Sequence, residues 1–172
     1  IARPEEVILD LRNLSGIVEV DRVGKTVVVN AGTTISNLNL ELHRHGLAMP
    51  NLGDVTYQSI LGALSTSTHG TGIGHGGLAT QVVGFTIVTA DGQLLTCSPT
   101  SHEEIWKYGR VSLGALGVVT DVTLRVVDSF ALQAVEHPEP VEQVLANWDR
   151  YTRENEHFEF YWIPHTRWAL TR

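Results

Sequence analysis

Cysteine is nearly absent from this 172-residue sequence, which has a single thiol, at Cys97. One cysteine cannot form an intrachain disulfide, and this favours a reducing compartment, so we expect a cytoplasmic protein. Long apolar runs are absent too, because no stretch approaches the roughly 20 residues that a membrane-spanning helix needs. We therefore expect no membrane segment in this chain.

Basic residues are few and scattered. Lys and Arg total 12 against 19 Asp and Glu, which gives a formal net charge of −7. Nucleic-acid binding needs clustered Lys and Arg, so we exclude a nucleic-acid partner. An initiator methionine is also missing: the chain begins at Ile1 and ends at Arg172 in a strand-rich stretch. We expect it to be a piece of a longer protein.

Strand and helix patterns alternate irregularly along the chain, without a steady βαβ rhythm, which predicts an α+β fold and not a doubly wound sheet. Thr33 or Thr34 can cap a helix that has Ile35, Leu38 and Leu42 on one face, and Ser101 with Glu104 forms a potential capping box for another. The remaining predicted elements are strands over 7–31, a hairpin over 85–97 with its turn at 91–92, strands over 118–127, 130–135 and 158–163, and a helix that starts near 141.

The run Gly62–Gly74, GALSTSTHGTGIG, combines four glycines with hydroxyl side chains and one histidine. Successive backbone N–H groups and Ser or Thr hydroxyls can bind a pyrophosphate, a ribitol chain or the polar edge of a flavin. The alternative is a tight structural loop whose hydroxyls cap one another and nearby helix ends. We favour a ligand-binding role.

Two other glycine patterns are weaker. Gly72, Gly74 and Gly77 form a G-x-G-x-x-G, but a dinucleotide fingerprint needs a buried strand before the glycines and a helix after them. Here the preceding residues are rich in Ser and Thr, so a nicotinamide-binding Rossmann site is a minor alternative. The turn Gly114–Gly117 feeds a strand, and alone it indicates close backbone packing.

Metal and hydrolase sites are not expected. His43 and His45 are two residues apart on a helix and point to different faces, while His69 and His75 lack an obvious third ligand. Ser65, Ser67 and His69 are close in sequence, but no G-x-S-x-G nucleophile elbow is present. We predict no metal site and no Ser-His catalysis.

Together the motifs GD-x₃-QSI-x-GA (53–63), STSTHGTG (65–72) and GALGVVT (114–120) resemble the FAD-linked sugar-lactone and polyol oxidases. These are vanillyl-alcohol-oxidase-type flavoproteins that include gulono- and arabinono-lactone oxidases and alditol oxidases. The resemblance implies part of a two-subdomain, PCMH-type FAD-binding domain over residues 1–128, mainly its second subdomain. It implies the incomplete beginning of a substrate or cap domain over 129–172.

By the same resemblance, the cofactor would be FAD. The implied flavin-binding residues are Ser59, Gly62, Thr66, Ser67, Thr68, His69, Gly70 and Gly72, with Gly117 and Val118 meeting the adenine side through main-chain atoms. Asp54 would lie near the substrate, where a carboxylate suggests a lactone-type site. Gly53 would border the flavin edge and leave a route open for dioxygen. A covalently linking histidine, if the family's FAD is so attached here, would lie upstream of this chain and would not be His69.

The implied function is oxidation of a sugar-lactone or polyol hydroxyl, with hydride passing to the flavin and then electrons to dioxygen or another acceptor. This chain alone would be inactive, because most of the substrate domain lies elsewhere. The alternative is a non-catalytic scaffold or ligand-binding fragment of the flavin family. The sequence leaves open the substrate, the acceptor, the mode of FAD attachment and the oligomeric state.

Overall fold

A computed structural model describes residues 7–172. The helices are α1 (Ile35–Arg44), α2 (Ile60–Ser65), α3 (Glu103–Gly109), α4 (Val141–Ala146) and α5 (Trp148–Glu154), with a 3₁₀ turn at Leu78–Gln81. The strands are β1 (Ile17–Asp21), β2 (Thr26–Asn30), β3 (Leu47–Ala48), β4 (Val82–Val88), β5 (Leu94–Cys97), β6 (Val118–Arg125), β7 (Val127–Asp128), β8 (His137–Pro140), β9 (Phe160–Trp162) and β10 (Trp168–Thr171). In the described part of the chain, no helix is both long and apolar enough to span a membrane.

The main sheet is antiparallel throughout, with strand order β1-β2-β6-β4-β5. Val27 and Val29 alternate with half-buried neighbours, and both point into the core. The predicted hairpin is present, since β4 pairs with β5 from Phe85↔Cys97 to Val88↔Leu94. Sheet and helices together confirm the α+β prediction.

Helix α1 covers one face of this sheet. Ile35, Leu38 and Leu42 recur at helical spacing and are all fully buried against the sheet's valines and leucines. The Thr34 hydroxyl accepts a hydrogen bond from the Asn37 N–H at 3.2 Å, which confirms the threonine cap. The helix is therefore anchored by an apolar stripe and a polar start, as its sequence predicts.

Backbone hydrogen bonds place α2 at the end of the main sheet. The Ala31 N–H, just after β2, donates to the Thr120 carbonyl of β6, and the Leu61 N–H donates to the Ala31 carbonyl. The Ile60 N–H donates to the Thr33 carbonyl in the same way. Because α2 leads directly into the glycine-rich loop, these bonds fix where that loop starts.

A smaller three-stranded sheet, of order β8-β10-β9, follows with α4 and α5. It is tied to the main body by the short pairing of β3 with β7 and by the Ser129 N–H, which donates to the Gly46 carbonyl. The main sheet ends at Arg125 and the second sheet begins at His137. The predicted domain division after residue 128 remains a prediction.

Three local predictions were wrong. Residues 7–11 form no strand, because they pair with no other strand in the described part of the chain, and a turn follows in which the Leu14 N–H donates to the Leu11 carbonyl. Residues 130–135 form no strand either, and β8 begins only at His137. Ser101 does not cap α3: its hydroxyl donates to the Thr96 carbonyl, and His102, in a left-handed conformation, is the cap residue. In each case apolar alternation or cap spacing was outweighed by the local backbone arrangement.

Candidate functional site

The first part of the glycine-rich run is helix and not loop. The Ser59 hydroxyl caps α2 by accepting from the Gly62 N–H at 3.2 Å. At the other end, Thr66 is the C-cap residue, and its hydroxyl donates to the Gly62 carbonyl at 2.9 Å. These three predicted flavin-binding residues thus also shape α2, which is the structural alternative considered for the loop hydroxyls.

The chain reverses direction directly after α2. Ser67 has a positive φ of 59°, and its N–H donates to the Leu64 carbonyl. The Thr68 N–H returns to the Ala63 carbonyl, while the Thr68 carbonyl accepts from the Leu78 N–H. The segment from His69 to Gly77 is therefore held at its base by Thr68, with the Ser67 side chain exposed beside it.

Asn51 anchors the tip of this segment, although none of the sequence motifs includes it. Its side chain is buried, donates to the Thr71 carbonyl at 3.1 Å and accepts from the Leu52 N–H at 2.9 Å. The buried Gln81 amide donates to the Asn51 carbonyl at 2.9 Å. The sequence feature that could have pointed to Asn51 is its position. It is a polar residue directly after the apolar stretch Leu47–Pro50, at the start of the NLGD sequence (51–54).

Gly70 and Gly53 allow the backbone of this segment to lie against residues 51–54. A Cβ on Gly70 would lie 2.1 Å from the Leu52 carbonyl oxygen, and one on Gly53 would lie 3.0 Å from the His69 carbonyl oxygen. Glycine is required at position 70, because no side chain fits between the two backbones. The GD and THG motifs, separated in sequence, are thereby in direct contact.

These two motifs line one wall of a cleft of about 1160 Å³. Gly53, Asp54, His69 and Gly70 are among the residues that line it, and residues of the second sheet region line it as well. The structure thus brings together four of the predicted site residues. Small-molecule and cofactor sites usually enclose roughly 300–1,000 Å³, so this cleft is large enough to hold one.

The donors in the segment fit a polar ligand. Within residues 7–172, the backbone N–H groups of His69, Gly70, Thr71 and Gly72 donate to no protein acceptor. The His69 Nδ1–H donates to the Gly70 carbonyl at 3.0 Å, because that oxygen can only accept, and this leaves Nε2 with its lone pair. Free donors on a glycine-rich backbone form an anion-binding concavity, so the residues present suit the polar parts of FAD.

Asp54 lies in a charged network on the cleft wall. The Tyr161 hydroxyl lies 3.0 Å from Asp54 Oδ2 and 3.3 Å from Glu159 Oε1, and both carboxylates can accept its proton. The Arg172 guanidinium lies 3.6 Å from Asp54 Oδ1 and 3.5 Å from Glu159 Oε1. The hydrogen bond to Asp54, with the charge of Glu159, raises the pKa of Tyr161 above its ordinary value, so Tyr161 is a neutral donor.

Gly117 and Val118 are not on this cleft. They lie at the start of β6, where Val118 pairs with Val88 and a Cβ on Gly117 would lie 2.4 Å from the Val88 carbonyl oxygen. Gly117 has a φ of 140°, so both its backbone conformation and this close approach favour glycine. Packing thus accounts for Gly117, and its predicted adenine contact stays a prediction.

Two protein families match separate parts of the chain. Residues 2–98 match the FAD binding domain family, and residues 122–172 match the D-arabinono-1,4-lactone oxidase family. The chain belongs to the FAD binding domain family. FAD is thus the cofactor of its family, as the resemblance implied, and the suspected relationship to sugar-lactone oxidases is confirmed by the second match.

Relatives with curated names agree with this assignment. The chain is 40% identical over 166 residues to L-gulonolactone oxidase of Bos taurus, covering 96% of this chain and 38% of the relative. It is 37% identical over 172 residues to L-gulono-1,4-lactone dehydrogenase of Mycobacterium tuberculosis strain H37Rv, covering 100% of this chain and 40% of the relative. This FAD binding domain chain therefore spans about two fifths of these relatives.

Solved structures support the fold. Two structures of cholesterol oxidase from Brevibacterium sterolicum superpose with TM-scores of 0.76 and 0.78, at 24% and 23% identity. They cover 92% and 94% of this chain, and 33% and 34% of the cholesterol oxidase chains. At this level of identity the likeness shows that the chain shares the fold of this part of cholesterol oxidase.

Proposed function

We propose that this chain belongs to an FAD-dependent oxidoreductase that oxidises a hydroxyl carbon of a sugar lactone. The observation that carries the proposal is its identity of 37–40% with a lactone oxidase and a lactone dehydrogenase across at least 96% of its length. The cleft lined by Gly53, Asp54, His69 and Gly70 is where the proposed chemistry would occur. A polyol is the alternative substrate class.

The segment from His69 to Gly72 is proposed to hold the cofactor. Its free N–H groups donate to polar atoms of FAD, and Gly70 keeps the segment close against residues 51–54. When bound, FAD supplies the acceptor for the hydride that leaves the hydroxyl-bearing carbon. The Ser59, Gly62, Thr66, Ser67, Thr68, Gly117 and Val118 positions remain proposed contacts on the basis of resemblance.

Asp54, which lines the cleft, is proposed to face the substrate, with Tyr161 hydrogen-bonded to it. The Tyr161 hydroxyl donates its one proton to the Asp54 carboxylate and so positions it, while the remaining lone pairs of Asp54 can orient a polyhydroxylated ring by accepting hydrogen bonds. The Arg172 guanidinium, 3.6 Å from Asp54 Oδ1, offsets negative charge in this network. Proton acceptance from the reacting hydroxyl is not assigned to any of these residues.

Dioxygen is the proposed electron acceptor. Gly53 contributes no side chain to the cleft wall, and a Cβ at this position would lie 3.5 Å from the Thr68 methyl carbon. A larger side chain there would narrow the space. Gly53→Val should therefore lower the rate with dioxygen more than the rate with a dye acceptor, and equal losses with both acceptors would contradict this role.

The first experiment is a visible absorption spectrum of the full-length gene product, before and after acid precipitation, followed by assays with L-gulono-1,4-lactone and D-arabinono-1,4-lactone. Flavin bands and lactone-dependent reduction of the flavin are expected. Bands that remain with the pellet would indicate covalent FAD, and bands in the supernatant dissociable FAD. A protein that stays colourless after incubation with FAD would refute the proposal and favour a non-catalytic scaffold.

A further inference from the structure

A side-chain cluster at the end of the glycine-rich segment has a composition suited to a metal. His75, Glu156 and His157 each offer one ligand atom, and these atoms all lie within 4.8 Å of one another. His75 lies within the segment from His69 to Gly77, whereas Glu156 and His157 lie between α5 and β9. The cluster therefore joins two parts of the chain that are far apart in sequence.

The ring of His157 is oriented as in a metal ligand. Its Nδ1 lies 3.1 Å from the Thr71 carbonyl oxygen and 3.3 Å from the Thr71 hydroxyl. A carbonyl oxygen only accepts, so Nδ1 carries the proton and Nε2 keeps its lone pair. A ligating histidine usually donates its other ring N–H in this manner, which fixes both tautomer and ring orientation.

The backbone makes room for the two imidazoles. The His75 and His157 rings are parallel within 3°, with centroids 4.9 Å apart. A Cβ on Gly72 would lie 2.7 Å from His75 Cδ2 and 2.5 Å from the Glu156 carbonyl oxygen. Gly72 also has a φ of 100°, so a side chain at this position would both strain the backbone and displace the cluster.

We propose that His75, Glu156 and His157 bind a divalent transition metal ion, with Zn²⁺ as the favoured ion. Two imidazoles and one carboxylate are a common three-ligand set for zinc, with water in the fourth position. His75 Nε2 and Glu156 Oε1 are already 3.4 Å apart, close to the roughly 3.3 Å between neighbouring ligands of a tetrahedral zinc ion. The other ligand-atom separations, which are at most 4.8 Å, would contract when the ion binds.

The role that follows is structural. The ion would clamp the glycine-rich segment to the residues before β9 and so hold one end of the cleft closed. It exchanges no electrons, since zinc has no redox chemistry in proteins. The proposal rests on these three side chains and not on the proposed lactone chemistry. It also departs from the expectation of no metal site, because Glu156 and His157 supply the ligands that the local sequence around His75 lacks.

The test is zinc titration of the chelator-stripped full-length protein by calorimetry, with metal analysis after dialysis. One Zn²⁺ per chain, with a micromolar or tighter Kd, is expected for the unaltered protein. Glu156→Gln should weaken binding at least tenfold, and His75→Ala with His157→Ala should abolish it. His45→Ala is the matched control, because His45 is exposed and lies outside the cluster, and it should bind like the unaltered protein.

Three outcomes would overturn the proposal: no zinc bound by the unaltered protein, equal binding by Glu156→Gln, or equal loss in His45→Ala. Far-ultraviolet circular dichroism of each variant guards against unfolding as the cause of lost binding. Glu156→Gln is the decisive variant in that respect, because its side chain is 65% exposed and its replacement leaves no cavity. Zinc binding can be measured with flavin absent, so its failure would leave the proposed function standing.

Discussion

Replacing Gly70 by alanine tests whether the segment from His69 to Gly72 binds the cofactor. The new Cβ would lie 2.1 Å from the Leu52 carbonyl oxygen and 2.6 Å from Asn51 Oδ1. Carbon–oxygen contacts in proteins rarely fall below about 3.3 Å. The two backbones must therefore separate by roughly 1.2 Å, which no side-chain rotation could absorb, because the nearest obstructing atom is backbone.

Separating the two backbones lowers the free energy of unfolding. Overpacking of this kind costs about 1–3 kcal/mol of the free energy of unfolding. The hydrogen bond from Asn51 to the Thr71 carbonyl, 3.1 Å long, would be stretched and would lose part of its contribution of about 1 kcal/mol. Since the free N–H groups of this segment move with it, we expect at least tenfold weaker flavin binding, equivalent to about 1.4 kcal/mol.

Gly74→Ala is the matched control. A Cβ at Gly74 has no heavy atom within 4 Å, and its φ lies outside the left-handed region. Flavin per chain is measured from the absorbance of the purified full-length protein, with thermal unfolding in parallel. Gly70→Ala could unfold at a lower temperature than Gly74→Ala and still retain flavin equally well. In that case Gly70 has only a structural role, and the assignment of cofactor binding to the segment from His69 to Gly72 fails.

Three further predictions concern stability. Leu38→Ala should lower the free energy of unfolding by about 2–5 kcal/mol in urea titrations, because Leu38 is fully buried. Leu40→Ala on the same helix, at a residue that is 52% exposed, should change it by less than about 0.5 kcal/mol. Equal effects of the two substitutions would refute the assigned buried face of the helix. Thr34→Ala removes the α1 cap and should cost about 1 kcal/mol, and Thr34→Ser should restore most of it. The hydrogen bond from Tyr151 to the buried Glu139 raises the pKa of Tyr151, so its stabilisation is complete below about pH 10 and is lost as pH rises through the folded-state pKa. Thermal unfolding temperature between pH 8 and 11 should therefore fall more steeply for the unaltered protein than for Tyr151→Phe, and parallel profiles would contradict this.

Residue patterns over a few neighbouring positions were enough to predict the first helix and the central hairpin. The apolar spacing of Ile35, Leu38 and Leu42 predicted α1, and the Asp91-Gly92 turn predicted the β4–β5 hairpin, because both signals depend on neighbours a few residues apart. The same reasoning failed at residues 7–11 and 130–135, where alternation of apolar residues was present without a partner strand. Alternation predicts a strand only where another strand can pair with it.

The candidate site likewise has some features that the local sequence predicts and others that exist only in the folded chain. The GD and STSTHGTG motifs and the flavoprotein family that they indicate could be identified without a structure. Their glycines, hydroxyl side chains and backbone N–H groups are close together in the sequence itself. The helical start of the run, Ile60–Ser65, depended on the Ser59 cap and on bonds to Ala31 and Thr33. Asn51 went unrecognised because its role as an anchor exists only once Thr71 folds back onto it.

Four features of this protein followed from its amino-acid order without further information: the fold class, the first helix, the central hairpin and the cofactor family. The long-range contacts around the candidate site did not, and it took the folded chain to join Tyr161 to Asp54 and His157 to Thr71. The chain separations of these pairs, 107 and 86 residues, explain the difference. Contacts this distant leave no periodicity in the sequence, because they are set by how the second sheet packs on the first and not by local backbone preference.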